Sequence, residues 1–310
     1  MIDTKLIMLE GLPSTGKSTN ADFIRMQLER NGKKVIWIHE VASPHPVFLF
    51  FEPCSSLNEY EEAVIEKWEH FAETASHNKD TVYILDSSIF QSQVFTFLWD
   101  NASYERLEKF VNILFGIVKY LNPTLIYLYR ENSEDTIDYL EKNRGTQGLI
   151  NIYERDKTRP YYQNKPKGAN GFKQFLRDYA KSAELLFNSL DCKKISIEIT
   201  ELDWTNYENK MLSFLEIETI PSPNFVPPNG IYKNEEFGYK ITVDGLMIID
   251  PDGSNKKLTP KTANDFYIER LPMILHFEDS KQVIMTGLEI NAHWSTTGMM
   301  YKRQNSLIKK

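Results

Sequence analysis

Residues 11–18 read GLPSTGKS and satisfy G-x-x-x-x-G-K-[ST] at every fixed position. That pattern suits a backbone that must wrap phosphate oxygens. Gly11 and Gly16 free the chain to curl, so that successive amides can point at one anion. Lys17 is placed to reach the β- and γ-phosphates of ATP, and the Ser18 hydroxyl to ligate Mg2+. Ser14, Thr15 and Thr19 complete the residues expected around the nucleotide. The loop follows a short apolar run and opens a helical pattern through Ala21, Ile24 and Leu28, which puts the anion at a helix N-terminus. A chance glycine-rich turn would need neither the lysine nor that context.

Two carboxylates could serve the same site. Asp86 ends an apolar run, at the carboxyl edge where α/β sheets gather their ligands. There it would hold Mg2+ or accept a substrate proton; the plainer alternative is an N-cap for a helix starting near Ser88. Glu40 ends another run and is a candidate general base, with a substrate-binding or surface carboxylate as the alternative. Glu10, directly before the loop, reads as structural. Phosphoryl chemistry also wants cations over the moving group. Arg144, Arg155 and Arg159 are the candidates, Arg144 and Arg155 the favoured pair, against a reading as a solvated helix face. His39 and His45 stand six apart around Pro44, with no third ligand to make them a metal pair, and read as pocket lining or as residues with no role in the site. Phe48, Phe50, Phe51 and Trp99 would stack on a planar acceptor or simply fill core.

Five apolar runs must position these groups: residues 5–10 (KLIMLE), 34–40 (KVIWIHE), 81–86 (TVYILD), 124–130 (TLIYLYR) and 194–200 (KISIEIT). The first four are nearly continuous, as in strands buried on both faces of a parallel sheet; the fifth alternates, as a strand nearer an edge does. Three stripes at spacings of three and four predict helices between them. They are Leu57, Tyr60, Val64, Trp68, Phe71; then Tyr104, Leu107, Val111, Leu114, Val118, Leu121; and Phe172, Leu176, Tyr179, Ala183, Leu186, Leu190. Alternating strand and helix predicts a doubly wound parallel α/β sheet over residues 1–217.

The strand–loop–helix start, the run ending in His39-Glu40, the run ending in Asp86-Ser87-Ser88 and the later arginine-bearing helices resemble the thymidylate kinase and deoxynucleoside kinase superfamily. The likeness spans roughly residues 1–200. It implies a P-loop NTPase fold of nucleoside/nucleotide-kinase type, with ATP and Mg2+ as cofactors. The implied partner is a small phosphoryl acceptor, nucleoside- or nucleotide-like or another hydroxyl compound. In that superfamily a glutamate just after the second strand is the base toward the acceptor hydroxyl, and Glu40 takes that place. An acidic-Arg-Ser triplet closes the third strand, which Asp86-Ser87-Ser88 resembles without the arginine. The lid carries Arg-x-Arg before Gln-Gly, and residues 143–148 (NRGTQG) keep one arginine, Arg144. A guanine-reading N-K-x-D is lacking, since Asn164-Lys165-Pro166-Lys167 has lysine where the aspartate belongs. The rival reading is a regulatory NTP-binding or ATPase module.

Residues 218–230 form a proline-rich linker, and residues 231–310 a small, mainly antiparallel β domain. Asp244-Gly245 and Asp252-Gly253 punctuate β-rich runs at residues 238–250, 266–268, 273–277 and 282–286, which predict a partial barrel or sandwich. Asp250–Ser254 reads as a turn, lacking the bidentate glutamate of a calcium loop. The domain would serve a homodimer contact, cover the acceptor, or bind a partner.

A formal net charge of −7 argues against a nucleic-acid backbone as ligand, and the basic pairs Lys256-Lys257 and Lys302-Arg303 read as solvated surface. Two cysteines, Cys54 and Cys192, fit a reducing compartment. No apolar run approaches the ~20 residues of a bilayer span, and no signal peptide is evident, so the expected location is cytoplasmic with no membrane partner.

Overall fold

The computed structural model describes residues 3–49, 54–288, 294 and 297–304. Strands β1 (Leu6–Gly11), β2 (Lys34–Ile38), β3 (Thr81–Asp86), β4 (Thr124–Tyr129) and β5 (Lys193–Glu198) pair all-parallel in the order β2-β3-β1-β4-β5. That order puts β1 at the centre. The connection from β1 leaves toward β2 and that from β3 crosses toward β4, so the carboxyl end of β1 lies at the switch point of the sheet.

Both faces of the sheet are covered, and successive residues of β1 divide between them. Leu6 and Met8 join a core built by α2 (Leu57–His77), α3 (Phe90–Trp99), α4 (Tyr104–Val118), α5 (Ser133–Asp156) and α6 (Gly168–Ser189). Ile7 and Leu9 join the core under α1 (Lys17–Arg30) and α7 (Trp204–Leu215). Central strands β1 and β3 are buried along their whole length. β2 is not: it lies at a sheet edge, its first residue Lys34 is exposed, and only Trp37 and Ile38 are fully buried. The expectation of four strands buried on both faces therefore holds for three. Ser56 and Ser103 cap α2 and α4 by accepting the amides of Glu59 and Arg106. α5 is interrupted at Gly145, whose φ of 72° breaks the helix directly after Arg144.

The second unit is a closed antiparallel barrel. Its strands are β6 (Gly230–Lys233), β7 (Lys240–Asp244), β8 (Met247–Ile249), β9 (Asn255–Pro260), β10 (Asp265–Ile268), β11 (Met273–Phe277), β12 (Gln282–Gly287) and β13 (Met300–Arg303). β13 pairs with β6, Lys302 opposite Lys233 and Arg303 opposite Tyr232, which closes the ring. The partial barrel or sandwich is thus a complete barrel. The two basic pairs taken for solvated surface are strand residues of β9 and β13, whose neighbours Leu258 and Tyr301 are fully buried. In a barrel only alternate side chains face inward, so charged residues can sit between core positions. Asp250 makes the expected turn, its Oδ1 accepting the amides of Asp252 and Ser254 at 3.0 and 2.9 Å.

The linker has no regular structure, and its first residues lie along α1. Gln27 Oε1 accepts the Ile220 amide at 2.9 Å, and Arg30 donates to the Ile220 carbonyl at 3.2 Å and to Ser222 Oγ at 2.9 Å. The barrel meets the same helix: Tyr267 Oη donates to Glu29 Oε2 at 2.7 Å, and Lys261 pairs with that carboxylate. The Arg25 guanidinium sits 4.7 Å over the Tyr267 ring and 5.3 Å over Trp37. Among the described residues, no helix is long and apolar enough to cross a membrane.

Residues 224–226 of the linker are exposed, Phe225 at 41% and Val226 at 62%. Chymotrypsin is expected to nick first at Phe225. The two pieces should still co-elute on gel filtration, held by the contacts on α1; separate elution would contradict the grip described here.

Candidate functional site

Each glycine of the 11–18 loop has a steric reason. A Cβ on Gly11 would lie 2.3 Å from the Leu128 carbonyl oxygen, and one on Gly16 would lie 2.8 Å from the Trp204 ring. Gly16 and Ser14 are both left-handed, at φ 85° and 69°. Gly16 is the N-cap of α1 and no side chain caps the helix, so the amides of its first turn are left for an outside acceptor. Thr15 is fully buried and turns inward, its hydroxyl donating to the Leu12 carbonyl at 2.8 Å. Lys17 Nζ donates to the same oxygen at 3.0 Å.

Three carboxylates surround this lysine. Glu10 is fully buried; its Oε1 accepts the Ile89 amide at 2.6 Å, and its Oε2 has no partner. Burial pushes its pKa from an ordinary 4.5 up to about 7, against the pull of Lys17. Ile89 is the N-cap of α3, so Glu10 satisfies the end of the helix that Asp86 was the alternative candidate to cap. Glu10 thus ties β1 to the start of α3. Asp86 instead accepts from Ser87 Oγ at 2.9 Å through Oδ1, while its Oδ2 is buried and unpartnered. Burial raises the Asp86 carboxyl above its ordinary value, with Glu40 adding to the rise and His39, Lys17 and the Ser18 hydroxyl opposing it. For Glu40, burial acts upward too, but Lys17 and then His39 outweigh it, and the group ends below its ordinary value. Gln91 Nε2 donates to Glu40 Oε2 at 3.0 Å.

A cavity of about 1250 Å³ opens at this carboxyl edge. Ser14, Gly16, Lys17, Ser18 and Thr19 line it, and Glu40 shares the wall. Asp86 is not among the lining residues, nor are Gly11 and Thr15, and all three are buried. All three candidate arginines reach the cavity, in different states. Arg155 makes a two-point pair with Asp156 at 2.8 and 2.7 Å, and Arg159 lies 5.1 Å over the Trp99 ring. The exposed Arg144 guanidinium has no hydrogen bond or ion pair among the described residues, which singles it out where spacing could not. Phe48 and Trp99 line the cavity; Phe50 and Phe51 lie outside the described residues. The histidines engage backbone: Val41 N donates to His39 Nδ1 at 3.2 Å, and Phe48 N to His45 Nδ1 at 3.1 Å. Burial pulls the His45 pKa down to about 3, so it is neutral.

Sequence reasoning missed two walls of the cavity. Gln91 and Phe95 stand eight and four residues ahead of the expected Trp99 on one face of α3, a spacing that was legible. Arg270 comes from the barrel, and no local pattern points to it. The volume exceeds the ~300–1,000 Å³ of pockets for one small ligand, leaving room for two.

No protein-family model and no curated protein matches the chain. Among solved structures it is similar to one titled "Crystal structure of APE1195", at 14% identity over 70% of this chain and 97% of that one, with a TM-score of 0.41. A likeness of that size does not bear on the site.

The buried Glu10 has a measurable consequence. Its native form keeps a proton that the unfolded chain has already released between pH 4.5 and 7, so stability falls as pH rises through that window. The full contribution, present below pH 4.5 and gone above 7, is about 3 kcal/mol. Glu10→Gln keeps the bond to Ile89 and should flatten that decline in denaturant titrations; parallel curves for the two proteins would contradict it.

Proposed function

We propose that the chain is an ATP- and Mg2+-dependent phosphotransferase that moves the γ-phosphoryl to a hydroxyl of a small acceptor. The observation that carries this reading is the single cavity. It joins the glycine-rich loop and Lys17 to an ionised carboxylate, Glu40, and to an aromatic wall on α3. A helix start that no side chain caps, preceded by two left-handed residues, is the geometry phosphate oxygens require.

Each side chain has work suited to its surroundings. Lys17 has three donors and spends one on a neutral carbonyl, so two remain for β- and γ-phosphate oxygens. Ser18 and the unpartnered Oδ2 of Asp86 fit Mg2+, which when bound would neutralise phosphate charge. Glu40, oriented by Gln91 through Oε2, would take the acceptor proton. The acceptor oxygen then bonds to the γ-phosphorus, the bond to the β–γ bridging oxygen breaks, and ADP leaves with that electron pair. Arg144 supplies a free guanidinium at the rim for the charge on the moving group. Phe95, Trp99 and Phe48 line the wall that would receive a planar acceptor.

The barrel's grip on α1 favours one second reading, a regulatory ATPase whose barrel binds a partner protein and transmits that binding to the loop. The two are separated by following phosphorylated product and free phosphate independently across a panel of nucleosides, nucleotides, sugars, aminoglycosides and amino acids. Glu40→Gln should cost the acceptor reaction about a hundredfold or more while sparing slow ATP hydrolysis. Asp86→Asn should lower both, since both need the metal. Full acceptor phosphorylation in Glu40→Gln removes Glu40 as base. A panel with no product at all, together with an ATPase rate that a partner protein changes, decides for the regulatory reading.

A further inference from the structure

Arg270 belongs to the barrel, on the connection between β10 and β11, yet it lines the same cavity as Ser14, Lys17 and Ser18. Its backbone is fixed there. The Arg270 amide donates to Asp22 Oδ2 at 3.1 Å, and Asp22 is a buried residue of α1, one helical turn beyond Ser18. Asp22 is itself held by Arg25 at 2.6 Å, and Arg25 lies over the Tyr267 ring of the barrel. Tyr267 in turn donates to Glu29, so three successive turns of α1 pin the segment that carries Arg270.

The backbone at Arg270 is left-handed, with φ of 60°. Glycine and asparagine adopt that conformation most readily, so the turn itself gives no reason for a long cationic side chain. A strained residue at a cavity wall is a pointer to use. Among the described residues, the guanidinium has one partner, Glu269 Oε1 at 3.2 Å, and the side chain is 62% exposed. The other Glu269 oxygen accepts the Lys257 amide at 3.0 Å.

We propose that Arg270 binds the phosphate chain of the nucleotide, so that the barrel completes the nucleotide site. This rests on the reading of residues 11–18 as the phosphate loop. Position selects the phosphates over the acceptor. Arg270 is tied to α1 beside Ser18, whereas the aromatic wall is carried by α3 and α6, which pack on the opposite face of the sheet. Charge selects them too. A polyphosphate brings several negative charges, Lys17 already faces the ionised Glu40 and Arg155 is committed to Asp156, so the phosphates need a further cation. A guanidinium offers two parallel donors to phosphate oxygens, a geometry an ammonium lacks.

The test measures binding of Mg·ATP and of Mg·tripolyphosphate to the full chain by calorimetry, for the unmodified protein, Arg270→Asn and Arg270→Lys. Asparagine suits the left-handed backbone, so the melting temperature without ligand should not move. Arg270→Asn is expected to weaken both probes by about tenfold, and Arg270→Lys to recover part of that loss. The proposal is overturned if Arg270→Asn binds both probes as tightly as the unmodified protein. It is also overturned if the loss is confined to ATP, which would place Arg270 on the nucleoside, or if it comes with a lowered melting temperature. An unmodified chain that binds neither probe overturns the phosphate-loop reading and this proposal together; unmodified binding with a silent Arg270→Asn overturns this proposal alone.

Discussion

A lysine ammonium left almost without water keeps its charge only beside negative groups. Lys17, 6% exposed, has three of them within electrostatic reach, at the ends of three adjacent strands. Glu10 is in β1, Glu40 follows β2 and Asp86 closes β3, so the strand order β2-β3-β1 is what assembles the cluster. One cation cannot hold three carboxylates ionised in so dry a place. Glu40 is drawn below its ordinary pKa, while burial leaves Glu10 and Asp86 above theirs. Environments that push neighbouring acids apart in this way assign them different work. Glu10 ties β1 to the start of α3, Glu40 faces the cavity as an anion, and Asp86 keeps one buried oxygen uncommitted.

α1 transmits the position of this cluster to the rest of the molecule. Its apolar side, Ala21, Ile24 and Leu28, packs on the sheet, but Asn20, Asp22, Arg25 and Gln27 are buried as well. The linker bonds Gln27, and the barrel holds Asp22 and stacks on Arg25. A buried ion pair such as Asp22–Arg25 adds little net stability, because desolvating two charges offsets their attraction. Its effect is on registry: sliding the barrel along α1 would strand buried charges without partners, so one docking geometry is favoured. That registry is what brings a barrel loop to the wall of the cavity.

The glycine-rich loop with α1 behind it, the five strands and three further helices were legible because each has a local signature. Near-continuous apolar runs marked the strands to within two residues at either end, and spacings of three and four marked α2, α4 and α6. What escaped is long-range or a matter of depth. The Glu10–Ile89 bond joins residues 79 apart, and nothing near either one announces it. Asp86 was placed at the correct strand end, but periodicity reports which face a residue takes, not whether its side chain reaches a cavity. β9 and β13 were missed because their lysines and arginine mask the few buried residues, Leu258 and Pro260 in β9 and Tyr301 in β13. The buried polar residues of α1, Asn20, Asp22, Arg25 and Gln27, carry no local signal either, since the linker and barrel that meet this helix come from far along the chain.

The central claim is that Lys17 and the uncapped first turn of α1 hold nucleotide phosphates. Equilibrium dialysis of radiolabelled ATP with Mg2+ against the full chain tests it most directly, with Lys17→Ala alongside and circular dichroism to confirm that both are folded. The account predicts saturable binding with a Kd between about 1 μM and 1 mM for the unmodified chain. In Lys17→Ala that binding should weaken by about a hundredfold. Equal binding in the two folded proteins, or none in the unmodified chain, would contradict it.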